Sequence, residues 1–207
     1  MGKIGFNSAS VGTTLNAIRA KPTDSTKIPI HVALRICLQS ASKTAAISSL
    51  ESLGGIASSC NILISDDKGP RSLELSPRGN VYIEPNERGI VCHTNHFIQN
   101  KYVDEPAWLA GSPIRLDRIR ELSGNLDRAN KPTSITPDLL RTRIFSDLFN
   151  APQAICCQED SSRPIETRSS TLFNIVMKFV EGQNPSAEVV WGRPGSGEEG
   201  SVLIMPW

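Results

Sequence analysis

Apolar residues recur along this chain in two rhythms, every second position in some stretches and every third or fourth in others, and each change of rhythm marks a new element. Residues 2–7 (GKIGFN) and 11–18 (VGTTLNAI) are short runs around Ser8-Ala9-Ser10, which predicts a hairpin. Pro29 opens a helix over about 29–40, in which Ile30, Ala33, Leu34, Cys37 and Leu38 share one face. A second helix, about 43–53, aligns Ala46, Ile47, Leu50 and Leu53 and stops at Gly54-Gly55. Strand patterns follow at SCNILIS (59–65), RSLELS (71–76), NVYIEP (80–85) and GIVCHTN (89–95), which together predict a four-stranded antiparallel meander. Residues 97–112 are irregular, and 114–122 place Leu116, Ile119 and Leu122 at helical spacing. Thr136-Pro137-Asp138 reads as the cap and first turn of a further helix carrying Leu140, Ile144 and Leu148. The last third returns to strands in AICCQ (154–158), STLFNIVMKFV (170–180), AEVVWGR (187–193) and SVLIMPW (201–207), with 193–200 as a hairpin loop. The sum is an α+β chain with antiparallel sheets and segregated helices, read as one domain over 1–207.

Composition narrows the function more than the fold. The 207 residues can bury roughly 70% of their unfolded surface, and 39% hydrophobic with 21% charged side chains is a folded composition. Twenty-two basic side chains balance 21 acidic ones. No net field is left to recruit nucleic acid or an anionic membrane surface as a main task. No stretch offers the ~20 apolar residues of a spanning helix. The N-terminus has no apolar signal region, Phe6 stands where a myristoylation signal needs Ser or Thr, and Ile204-Met205-Pro206-Trp207 is no SKL-type peroxisomal signal. Five cysteines at irregular spacing predict reduced thiols in an intracellular, by default cytoplasmic, protein.

The densest polar cluster is Cys92-His93-Thr94-Asn95-His96. It makes a poor metal site, because the only other histidine, His31, is on a helix. A Cys92–His93 nucleophile and base is disfavoured if the segment is a strand, since adjacent side chains then point to opposite faces. The same alternation would put His93 on the side of Asn95 and His96 opposite. Asn95 offers a third chemistry: its amide NH2 can donate to an oxygen that becomes negative during acyl transfer.

Several motifs in one order carry a resemblance over essentially the whole chain. They are GKIGFNSASVG (2–12) with LNA at 15–17, HVALRICLQS (31–40), LELSP (73–77), HTNHF (93–97), the spacing from Ser146-Asp147 through Pro152 to Ile155-Cys156, TLFNI (171–175) and GRP (192–194). In this series the chain resembles the fungal acyl-coenzyme A:6-aminopenicillanic acid acyltransferase family and its peptidase C45 relatives. The resemblance implies an N-terminal nucleophile hydrolase fold, an αββα sandwich of two antiparallel sheets between helical layers. It also implies a precursor that cuts itself before a Cys, whose thiol then attacks a carbonyl with its own α-amino group as base. The implied partners are a small acyl donor such as an acyl-coenzyme A and an amine acceptor. No cofactor or metal is implied.

In that family the Cys lies upstream of the GFNSA segment. None of Cys37, Cys60, Cys92, Cys156 and Cys157 matches it. The expectation is therefore a chain inactive by itself: a truncated or partial domain, a degenerate paralogue kept for binding, or one subunit completed by a separate segment. By position, the resemblance assigns Asn95 to the oxyanion hole, with capping of a turn as the plainer alternative. It links Ser76 to precursor processing, although a Ser before Pro is also an ordinary turn residue. Arg168 falls beside the substrate pocket, where a guanidinium could pair with a carboxylate. Thr167 replaces the family's Ser before that Arg. Asn16 matches a position near the oxyanion in distant choloylglycine-type relatives, or else satisfies backbone groups at the core edge.

Overall fold

A computed structural model describes residues 4–106, 111–129 and 135–205. Residues 2–3 of the first expected strand, 107–110 of the irregular stretch and 206–207 of the last expected strand lie outside the described residues. The chain folds as two compact units, Met1–Leu109 with Met177–Ser186, and Ala110–Val176 with Ala187–Pro206.

The first unit is built on a five-stranded sheet. Strands β1 (Gly5–Phe6), β2 (Gly12–Ala17), β3 (Cys60–Asp66), β4 (Gly69–Ser76) and β5 (Gly79–Ile83) follow one another in space as in sequence, every neighbour antiparallel. Helices α1 (Ile30–Leu38) and α2 (Lys43–Ser52) are inserted between β2 and β3. The Ser42 hydroxyl caps α2 by accepting from the Ala45 N–H. The predicted apolar faces meet the sheet: Ala33, Leu34, Cys37, Ala46, Ile47 and Leu50 pack with Cys60, Ile62 and Ile64 of β3 and Leu73 and Leu75 of β4. Strand alternation puts Asn61, Leu63, Ser72, Glu74 and Ser76 on the opposite face. That face is also buried at Asn61, Ser72, Glu74 and Ser76, so β3 and β4 are covered on both sides, one apolar and one polar.

In the second unit, α3 (Ser112–Ala129) outruns the expected 114–122. Thr136 caps α4 (Pro137–Leu140) by accepting from Leu139, as its sequence predicts, and the helix widens into a π-helical turn at Arg141–Phe145. The Arg118 guanidinium on α3 grips Asp147 through Nε at 3.0 Å and Nη2 at 2.7 Å. A three-stranded sheet of order β6 (Phe173–Lys178), β7 (Ser186–Trp191), β8 (Val202–Met205) closes the chain, and β7 and β8 form the expected terminal hairpin.

Two expected strands are absent. Residues 154–158 are apolar because Ala154 and Cys156 are buried, not because they join a sheet. Their amides are satisfied locally, Cys156 N–H by the Asp147 carbonyl, Cys157 N–H by Thr171 Oγ1 and Gln158 N–H by the Pro152 carbonyl. Residues 89–95 do not extend the meander past β5. The Asn86 side chain accepts from the amides of Arg88 and Ile90 and ties a tight turn, after which the chain is drawn to Glu74 instead of running along β5.

Ile62→Ala, at a position with no exposure, is expected to lower unfolding free energy by roughly 2–5 kcal/mol in urea denaturation. Ile204→Ala on the exposed β8 should stay within about 0.5 kcal/mol of the parent. Equal losses at the two sites would contradict this placement of the core.

Candidate active site

The polar face of the first sheet carries a file of side chains in register. Asn16 on β2 lies opposite Asn61 on β3, and Asn61 lies opposite Glu74 on β4. Asn61 Nδ2 donates to Asn16 Oδ1 at 3.2 Å, and Ser72 Oγ donates to Asn61 Oδ1 at 2.6 Å. The Glu74 carboxylate, wholly buried, accepts from His93 Nε2 at 2.8 Å and from three consecutive backbone amides, Ile98, Gln99 at 3.0 Å and Asn100 at 2.7 Å. Burial alone would raise its pKa, but His93 and these amides outweigh it and hold the carboxyl below its ordinary value. The other His93 nitrogen, Nδ1, is 2.7 Å from the Thr94 carbonyl.

Between these two anchors the chain arches over Thr94–Phe97, and Asn95 sits in the arch. Its Nδ2 donates to the Ala17 carbonyl, the last of β2, at 3.1 Å. Ile18, the next residue, begins the lining of a cleft of about 640 Å³ bounded by Arg19, Lys21, Ser59, Asp104 and Glu105. Burial pushes the Glu105 carboxyl above its ordinary value, and the carboxylate accepts from the Phe97 N–H at the end of the arch. The arch thus reaches the end of β2, and the lining of the cleft begins one residue further on, at Ile18.

The expected site residues are only partly gathered here. Asn95 and Asn16 share the end of β2, where Asn95 holds the carbonyl of the residue after Asn16. Ser76 is buried two residues beyond Glu74; its hydroxyl donates to the Gly79 carbonyl at 2.7 Å and accepts from the amides of Arg78 and Gly79, closing the β4–β5 turn. Arg168, in the second unit, donates to the carbonyls of Arg163 at 2.9 Å and Ser161 at 3.1 Å in its own loop. Because 89–95 is not a strand, the alternation expected to separate His93 from His96 does not apply. His93 is occupied instead by Glu74 and the Thr94 carbonyl, and His96 Nδ1 lies 3.2 Å from Thr94 Oγ1. The adjacent-residue argument against a Cys92–His93 pair falls with the strand; what keeps the His93 ring engaged is its two oxygen partners.

Glu74 and His93 were not singled out as site residues from sequence. The available signal was the Glu of LELSP, a carboxylate between two leucines in a strand, which needs a partner if it is buried with them. Four of the five thiols are poorly suited to a nucleophilic role: burial pushes Cys37 and Cys60 up to about 12, and Cys156 and Cys157 are also raised, chiefly by burial.

The molecule is thus an α+β protein with two antiparallel sheets and helices, in which an exposed side-chain amide is held at the end of β2. Residues 1–195 match the family described as acyl-coenzyme A:6-aminopenicillanic acid acyl-transferase, and the chain belongs to that family. It is 31% identical over 207 residues to the acyl-coenzyme A:6-aminopenicillanic-acid-acyltransferase 40 kDa form of Emericella nidulans, an alignment covering 99% of this chain and 54% of the relative. The chain therefore spans about half the length of the curated relative it matches.

The folded pKa of Glu74 lies below the unfolded value near 4.5, so its contribution is complete above that pH and is lost as pH falls through the folded value. Glu74→Gln is expected to cost roughly 3–5 kcal/mol at neutral pH, as when one partner of a buried pair is removed. It should also flatten the fall of stability as pH drops below about 4.5 relative to the parent. Parallel slopes in urea titrations of the two proteins would show that this carboxylate does not carry the acid dependence.

Proposed function

We propose that this chain supplies the oxyanion-binding part of an acyltransferase or amidohydrolase that makes or breaks an amide bond through a Cys thioester. The nucleophile would come from the part of the family sequence that the chain does not span. The thiolate would attack the acyl carbonyl carbon, the C=O electron pair moving onto oxygen, and that oxyanion would meet the Asn95 amide. Collapse would expel the leaving group, a thiol or an amine, with a proton. An amine or water would then attack the thioester and release the Cys. The observation that carries this reading is the Asn95 side-chain amide, exposed on an arch tied down at both ends and steadied by the Ala17 carbonyl at the end of β2.

The cleft beside it has apolar Ile18 and Pro106 next to Arg19, Lys21, Asp104 and Glu105, a mixture suited to an acyl chain and a polar acceptor. An acyl-coenzyme A donor and an amine acceptor are the substrates proposed. Raised pKa values at four of the five thiols support the view that none of these four is the nucleophile.

Two outcomes are expected. The 207-residue chain alone should give no turnover with acyl-coenzyme A and amines, and turnover that survives thiol alkylation would overturn the thioester chemistry. With an upstream Cys-containing segment restored in cis or by co-expression, Asn95→Ala should fold normally and lose roughly 100- to 1000-fold in kcat. Near-normal turnover by that variant would remove Asn95 from the oxyanion hole.

A further inference from the structure

Nothing in the reaction just described requires Glu74, yet this side chain gathers an unusual set of partners. It is wholly buried, it accepts from four donors, and all four belong to the segment that carries Asn95. Asn100 returns the contact, its Nδ2 donating to the Glu74 carbonyl at 3.1 Å and to the Gly79 carbonyl at 3.0 Å. A free arch of this size would rely on turn chemistry. This one is instead clamped at His93 on one side and at Ile98–Asn100 on the other by a single carboxylate whose own strand is fixed on both edges by β3 and β5.

We propose that Glu74 is the positioning residue of the site: acting through His93 and the amides of Ile98, Gln99 and Asn100, it fixes the arch and so sets the angle at which the Asn95 amide meets a developing oxyanion. The proposal rests on the acyl-transfer reading above. Its physical logic is that an oxyanion donor contributes only if it is held in place before the charge appears. Asn95 is exposed and its amide donates to the Ala17 carbonyl at the end of β2, and the arch that carries it fixes where its backbone lies. A charged acceptor suits that task better than a neutral one, because charge-assisted hydrogen bonds are shorter and roughly twice as strong. The burial of Glu74 keeps water from competing for them. Glu74 touches no reacting atom and is not a catalytic residue.

The test uses His93→Gln, which keeps a donor but shortens and neutralises the clamp, in the enzyme with its upstream Cys segment restored. The expected result is a drop in kcat of about 10- to 100-fold, the usual penalty for a misplaced group, with KM within about twofold of the parent. Hydrogen exchange on the same protein should quicken more at Thr94–Phe97 than at Ile62 and Ile64 in β3. In an Asn95→Ala background the same substitution should cost nothing further, since there is then no donor to position. An undiminished loss in that background overturns the proposal, and so does unchanged exchange in the arch. If β3 also loses protection, Glu74→Gln is read by the same measurements, and an arch that quickens no more than β3 in both variants overturns the proposal as well, because the pair would then hold the sheet and not the arch. A silent Asn95→Ala would sink the oxyanion reading alone; faster exchange confined to the arch would still separate that failure from a failure of the clamp.

Discussion

A carboxylate shut away from water must find every partner inside the protein, and Glu74 finds four in a stretch of eight residues. That requirement organises much of the first unit. It makes the second face of β3 and β4 polar, it pulls the chain after β5 off the sheet edge, and it delivers Asn95 to the end of β2. Removing solvent from a charge costs several kcal/mol unless the surroundings replace the lost hydration in full. Here the replacement comes mostly from backbone amides, whose positions cannot change without moving the chain itself. The cost of burying the charge is thereby converted into a fixed path for the loop.

The two faces of the sheet divide the work. Cys60, Ile62, Ile64, Leu73 and Leu75 meet the helices and supply the apolar burial that stabilises the unit. Asn16, Asn61, Ser72 and Glu74 add little of that kind, but their directional bonds make one arrangement better than its neighbours. A register slip of one residue between β3 and β4 would turn Glu74 into the apolar layer and Leu73 or Leu75 into the polar file. The buried charge and the core therefore specify the same pairing from opposite sides.

Helices α1 and α2 were legible in the sequence because their apolar residues recur at three and four positions against a single partner, and the Thr136 cap marks where α4 begins. The meander was legible as far as β5 for the analogous reason of alternation. Past that point local pattern misleads. Val91 and Cys92 look like strand residues, but whether a strand forms depends on a free edge and on competing hydrogen bonds, and here Asn86 and Glu74 take the backbone elsewhere. The 154–158 run fails likewise, since burial makes a stretch apolar without saying how its amides are paired. Asn95 could be placed in sequence by its surroundings, whereas the Glu74–His93 contact joins residues 19 apart across a segment with no regular period, and no local signal encodes such a meeting.

The placement of the cysteines gives the folded chain a chemical record of its own integrity. Cys37 on α1 and Cys60 on β3 lie on opposite sides of the helix–sheet contact, both without exposure, and Cys156 is buried in the second unit. Cys92 and Cys157 are partly accessible. A thiol reagent of modest size therefore meets a graded set of targets, and the rate at which the slowest of them is modified reports how often the helices lift away from the sheet, with no probe introduced from outside.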